Sequence, residues 1–207
     1  MMNKLRIYGF ANESFVDGPG IRVVVFVQGC DNACPNCHNL DSWDMSGGEE
    51  YTVRDIIKKI KKASGRSNGE LLHLNHSNKN THSSALPTGG KLANSKPISK
   101  VHSRKVRGVT FSGGEPFLQA DALVQIAKAV KPLGLDITTY TGNTYEELAA
   151  RADSGIQDLL NITDYLIDGP YLHEMRNIGL KFRGSANQRI IDMNETRKTG
   201  EVVLYDE

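Results

Sequence analysis

Cysteine is missing from this chain except within eight residues: Cys30, Cys34 and Cys37 are the only thiols among 207 residues. Aromatic side chains are sparse at 7%, with a single tryptophan, Trp43. No apolar run approaches the roughly 18 residues that read as a membrane span, and residues 1–8 lack the apolar stretch of a secretory signal. An excess of one charge is missing too. Lys and Arg number 25 against 24 Asp and Glu, so no long-range field recruits nucleic acid or an anionic membrane. An odd count of clustered thiols without a signal segment argues against a disulfide framework. These absences predict a soluble, cytoplasmic protein with no membrane and no specific nucleic-acid partner. The length fits one domain over 1–207, large enough to bury a core.

A second scarcity marks 64–105. This tract has no aromatic and one acid, Glu70, against seven Lys or Arg. Ser, Asn, Gly and His crowd it, and such a composition cannot bury enough apolar area to offset ordering entropy. We read it as a disordered loop inserted into the domain. Four of the six histidines, His73, His76, His82 and His102, lie in it. His73 and His76 have ligand-like spacing, but the tract reads as polar sequence with stray histidines.

The rest alternates between strand and helix signals. Residues 21–27 are a continuous β-branched run after the turn Asp17-Gly18-Pro19-Gly20, as in a buried strand. Thr52 and Asp55 open a helix whose apolar positions Val53, Ile56, Ile57 and Ile60 recur at helical spacing. Strands are expected at 108–111, 135–140, 164–168 and 189–192, with helices at 122–130 and 144–152 between them. Such alternation implies parallel strands with right-handed crossovers. Too few strands are present for a closed eight-fold barrel, so the expected fold is an open, partial (β/α) barrel with about five or six mostly parallel strands. The cysteine loop, 112–115 and 140–143 all follow strands, which places them together at the carboxyl end of the sheet.

Three thiolates on one short loop suit an iron–sulfur cluster in which one iron lacks a protein ligand. Other chemistries remain in view. Cys34-Pro35-Asn36-Cys37-His38 also reads as the C-x-x-C-H haem attachment pattern, although that leaves Cys30 without a role. A structural zinc site could draw on Cys30, Cys34, Cys37 and His38. A non-catalytic electron carrier or zinc-stabilised interaction module is the reading from another class.

The spacing C-x-x-x-C-x-x-C after a strand resembles the radical S-adenosylmethionine enzymes. Asp17-Gly18-Pro19-Gly20-Ile21-Arg22, Gln28-Gly29-Cys30, Cys37-His38-Asn39 and Trp43 resemble their glycyl-radical-enzyme activase branch. Tyr140-Thr141-Gly142, Leu166-Ile167-Asp168-Gly169 and the segment 182–189 resemble activases of anaerobic ribonucleoside-triphosphate reductase. The resemblance implies the partial-barrel fold of that family and a [4Fe–4S] cluster on Cys30, Cys34 and Cys37. It implies S-adenosyl-L-methionine on the open iron, with Gly113, Gly114 and Glu115 beside its amino group and Asn36, Cys37 and His38 bordering the adenine. The family commonly has an aromatic where Asn36 stands, and His38 offers a ring instead. It further implies reductive cleavage to a 5′-deoxyadenosyl radical, which takes a glycine Cα hydrogen from the glycyl radical subunit of the reductase. No catalytic side chain beyond cluster and cofactor is expected. Implied partners are that reductase, or another glycyl radical enzyme such as pyruvate formate-lyase, and a small reductant protein such as flavodoxin.

Overall fold

The computed structural model describes residues 4–66 and 105–206. Its strands are β1 (Lys4–Ser14), β2 (Arg22–Val27), β3 (Glu49–Thr52), β4 (Gly108–Gly113), β5 (Asp136–Tyr140), β6 (Tyr165–Asp168) and β7 (Arg189–Asp192). The helices are α1 (Val53–Ala63), α2 (Ala120–Val130), α3 (Tyr145–Ala149), α4 (Ser154–Ile162) and α5 (Met193–Thr199). The strands form one sheet in the order β3-β1-β2-β4-β5-β6-β7, with different strands at its two edges, so it does not close. Its centre, β2-β4-β5-β6, is parallel. Antiparallel pairings add β1 and β3 on one side and β7 on the other.

The partial α/β sheet expected from the sequence is therefore present, and seven strands extend it beyond the five or six anticipated. The two additions are β1 and β3. In β1 the alternation of buried Leu5 and Ile7 breaks at Gly9, and β3 is a four-residue edge strand led by two glutamates. Two helices were also not anticipated. Asp153 caps α4 by accepting from the Ile156 N–H at 3.0 Å, and Asp192 caps α5 through the Asn194 and Glu195 N–H groups. Of the 64–105 tract expected to be a disordered insertion, 67–104, with its four histidines, lies outside the described residues, whereas Arg66 is described and donates to the Leu133 and Val106 carbonyls. Among the described residues no helix is long and apolar enough to cross a membrane.

Strand alternation gives the sheet two unlike faces. Val23, Val25, Val27, Val109, Phe111 and Ile137 join the apolar core with α1, α2 and α4. The intervening positions include Arg22, Thr110 and Thr138, all fully buried and polar. Arg22 organises that second face. Its guanidinium donates to Thr110 Oγ1 at 2.6 Å, to the Pro19 carbonyl at 2.9 Å and to the Val109 carbonyl at 2.9 Å. It also pairs with Asp136 Oδ1 at 2.6 Å, and Thr110 Oγ1 in turn donates to the Asp17 carbonyl at 2.6 Å. The Asp17-Gly18-Pro19-Gly20 turn is thus tied down across the sheet by one buried cation.

Burial pulls the Arg22 pKa down while Asp136 holds it up. Removing one partner of a buried, multiply bonded pair typically costs about 3–5 kcal/mol. Arg22→Met is expected to lose about 3 kcal/mol in chemical denaturation, because Asp136 keeps Arg107 as a second partner. An unchanged unfolding midpoint would contradict this account of the turn.

Candidate active site

The four parallel strands end at one cavity of about 600 Å³. β2 leads into Cys30, and β4 delivers Ser112, Gly113 and Gly114. β5 delivers Tyr140, Thr141 and Gly142, and β6 ends at Gly169; all of these line the cavity wall. The volume lies within the range of small-molecule sites, and the position outside the carboxyl ends of parallel strands is where α/β sheets bind ligands.

The cysteine loop is irregular, and its backbone is held from both sides. Gln28 N–H donates to the Arg6 carbonyl at 3.0 Å, Gly29 N–H to Ser42 at 2.8 Å and Cys30 N–H to Trp43 at 3.2 Å. Further along, Cys37 N–H donates to the Cys34 carbonyl at 3.1 Å, closing a turn in which Asn36 takes a left-handed φ of 57°. Asn tolerates that region better than most residues. Cys30, Cys34 and Cys37 are all unpaired in disulfide terms, half-buried, and on the cavity wall. Burial pushes the Cys30 thiol up from its ordinary value; the Asn32 N–H and side chain oppose this, and Glu115 adds to it.

Gly113 and Gly114 allow β4 to press against that loop. An added Cβ on Gly113, where φ is 100°, would stand 2.7 Å from the backbone nitrogen and oxygen of Val27. One on Gly114 would stand 2.8 Å from the Gly29 carbonyl carbon and closer still to its oxygen. Glu115 N–H completes the seam by donating to the Gly29 carbonyl at 2.8 Å. Only a chain without side chains at 113 and 114 reaches so near.

Four of the six expected cofactor contacts, Cys37, His38, Gly113 and Gly114, therefore line the cavity with Cys30 and Cys34. Asn36 and Glu115 are placed elsewhere. Asn36 is exposed and serves the turn. Glu115 is 2% exposed, and its carboxylate turns into the protein rather than onto the cavity wall. Burial pushes its pKa up, against the hydrogen bonds it accepts.

The segment after β6 supplies the rest of the wall, and much of this was not legible beforehand. Tyr171 packs its ring 5.0 Å from that of His38, tilted by 46°. Tyr140 Oη donates to the Phe182 carbonyl at 2.7 Å, and burial pushes the Tyr140 phenol well above its ordinary value. Phe182 holds a φ of 60°, an uncommon conformation for so bulky a residue. Asn187 and Gln188 serve the backbone: Asn187 Nδ2 donates to Pro170 at 2.7 Å, and Gln188 Oε1 accepts from Gly184 at 2.9 Å and Ser185 at 3.2 Å. Phe15 and Val16 stand at the cavity 53% and 72% exposed. No sequence signal marked Tyr171 or Val16 as wall residues.

The donor set fits an iron–sulfur cluster. Three thiols, soft ligands suited to such clusters, share one wall of a ligand-sized cavity beside a backbone cradle of glycines. Among the described residues, by contrast, no three His, Cys, Asp or Glu side chains form a group that could hold a single metal ion.

Comparison with known proteins follows the same line. A profile described as "4Fe-4S single cluster domain" matches residues 16–75 and 74–191. The anaerobic ribonucleoside-triphosphate reductase-activating protein of Vibrio cholerae is 32% identical over 181 residues, covering 84% of this chain and 90% of that protein. The pyruvate formate-lyase-activating enzyme of Clostridium pasteurianum is 33% identical over 190 residues, covering 85% of this chain. The chain spans 65% of that enzyme's length and 50% of the Escherichia coli K12 pyruvate formate-lyase 1-activating enzyme, to which it is 32% identical. The chain belongs to the 4Fe-4S single-cluster domain family, in its branch of radical S-adenosylmethionine glycyl-radical-enzyme activases.

The seam between β4 and the cysteine loop makes a direct prediction. Gly114→Ala forces a methyl group into the Gly29 carbonyl, and overpacking of this kind costs about 1–3 kcal/mol. Urea denaturation of the apoprotein is expected to show that loss. A midpoint equal to the parent's would mean the seam is loose.

Proposed function

We infer that the chain carries a [4Fe–4S] cluster on Cys30, Cys34 and Cys37, binds S-adenosyl-L-methionine in the adjoining cavity, and activates anaerobic ribonucleoside-triphosphate reductase. The observation that carries this reading is the sharing of one cavity by three thiols and the Gly113-Gly114 backbone. Cys30, Cys34 and Cys37 would hold the cluster, which with S-adenosylmethionine bound would supply one-electron reductive cleavage and hydrogen-atom abstraction from a glycine Cα of the partner, the electron coming from a small reductant protein.

The chain's own contribution is placement and dryness. Three thiolates would hold a cubane at three of its four irons. Gly113 and Gly114 bring bare backbone to the cavity, where carbonyl groups can accept from an amine that side chains would otherwise hold off. Trp43, Tyr171 and Phe182 supply apolar wall that excludes water from a radical site. His38, beside Cys37, offers a ring on the same wall. We also read 1–207 as one domain with 64–105 inserted in it, reduced by a small electron-carrier protein such as flavodoxin.

The reductase is chosen as the target because the match takes in 90% of the V. cholerae protein's length. Residues 182–189, which carry the resemblance to that branch, stand partly in the cavity wall. Pyruvate formate-lyase is the second reading, favoured by the 33% identity to the C. pasteurianum enzyme.

Anaerobic reconstitution tests the chemistry. It is expected to give about four irons per chain and reductant-dependent 5′-deoxyadenosine, and Cys30→Ala, Cys34→Ala and Cys37→Ala are each expected to abolish that product. Bound zinc with no product, or activity surviving any one substitution, contradicts the reading. Electron paramagnetic resonance then separates the targets. A glycyl radical signal is expected on mixing with the anaerobic reductase, and a signal with pyruvate formate-lyase alone reassigns the partner.

A further inference from the structure

Glu115 is the one acid of the Ser112-Gly113-Gly114-Glu115 turn, and it is deeply buried with no cationic partner among the described residues. Burying an unpaired carboxylate is costly unless hydrogen bonds compensate. Four donors converge on this one. Oε1 accepts from the Phe117 N–H at 3.1 Å. Oε2 accepts from Asn32 Nδ2 at 2.8 Å, the Gly142 N–H at 2.9 Å and Thr141 Oγ1 at 3.1 Å. Three of these donors belong to the turn after β4 or the end of β5, which the fold already fixes. Asn32 alone belongs to the cysteine loop, lying between Cys30 and Cys34.

Gly142 shows how closely the parts fit. A Cβ there would stand 2.8 Å from Asn32 Cγ, so the end of β5 is bare where the Asn32 amide lies. The loop span between Cys30 and Cys34 has few other ties. Cys30 N–H is bonded to Trp43, Asn32 turns its N–H and amide toward the Cys30 sulfur, and the next backbone–backbone bond of the loop runs from Cys37 to Cys34. Among the described residues, the hydrogen bond that ties this span across the seam is the one from the Asn32 amide to the Glu115 carboxylate.

We propose that Asn32 and Glu115 act together as positioning residues, a side-chain strut that holds the Cys30–Cys34 span in the shape that receives the cluster. Glu115 serves through this strut and not as a side-chain contact to the bound cofactor. The inference rests on the cluster reading above.

The test uses reconstituted full-length protein and a ferrous chelator. Parent protein that holds no iron defeats the cluster reading itself and leaves no strut to measure. Given an iron-loaded parent, Asn32→Ala is expected to release iron about tenfold faster, the equivalent of one lost hydrogen bond to a charged group. Its apoprotein should unfold at the parent midpoint, since Glu115 keeps three donors and Asn32 is only half-buried. The electron paramagnetic resonance line shape of its reduced cluster should also change. Glu115→Gln is expected to release iron at least as fast, and the double variant no faster than Glu115→Gln alone. If Glu115→Gln does not fold, Asn32→Ala decides the matter. Release from Asn32→Ala within about twofold of the parent overturns the proposal, as does multiplication of the two effects in the double variant. Loss of S-adenosylmethionine affinity in Glu115→Gln, with iron release unchanged, overturns it in favour of direct contact.

Discussion

The close approach of two bare backbones, at Gly113-Gly114 and at Gly29, is the constraint on which the site depends. β4 and the loop that bears the thiols are far apart in sequence, with β3 and α1 between them. They meet with no side chain between them, joined by the Glu115 N–H on the Gly29 carbonyl and the Gly114 N–H on Val27 at 2.8 Å. The thiols can stand on a short irregular loop because β4 forms a wall behind it. An irregular loop with few backbone hydrogen bonds of its own takes its geometry from the sheet it leans on.

The second face of the sheet supplies the floor. Fully buried Arg22 gathers the carbonyls of Pro19 and Val109, the hydroxyl of Thr110 and the carboxylate of Asp136 into one network. Such a network fixes the 15–20 segment, which leaves Phe15 and Val16 at the cavity with much of their apolar surface exposed. On the far side, the Tyr140 hydroxyl holds the Phe182 carbonyl and keeps the last wall segment in a backbone conformation that a bulky residue seldom adopts. The thiol loop and the final segment thus owe their position to polar contacts at the sheet's carboxyl end, and the floor to a network at the amino ends, where Arg22 and Asp136 begin β2 and β5.

Much of this was legible in the sequence for identifiable reasons. The β-branched run at β2 and the helical spacing of Val53, Ile56 and Ile60 are strong local signals, and both elements stand where those signals placed them. The thiol spacing and the two glycines at the end of β4 led to the cavity because strand ends in a parallel sheet converge. Weak local signals were lost: β1 is interrupted by Gly9, β3 is four residues long, and α4 has a glycine at its second position. The buried placement of Glu115 was not legible for a different cause. Its partner Asn32 lies 83 residues away, and nothing local distinguishes a carboxylate that braces a loop from one that faces a ligand. Tyr171 meets His38 only after the last segment folds back, so no local pattern announced it.

Electron–nuclear double resonance of the anaerobically reduced protein with isotopically labelled S-adenosyl-L-methionine tests the central claim most directly. Coupling from the labelled amino nitrogen and carboxylate to one iron of the cluster is the predicted result. A cluster whose every iron already carries a protein ligand, with no coupling from the label, would contradict the account.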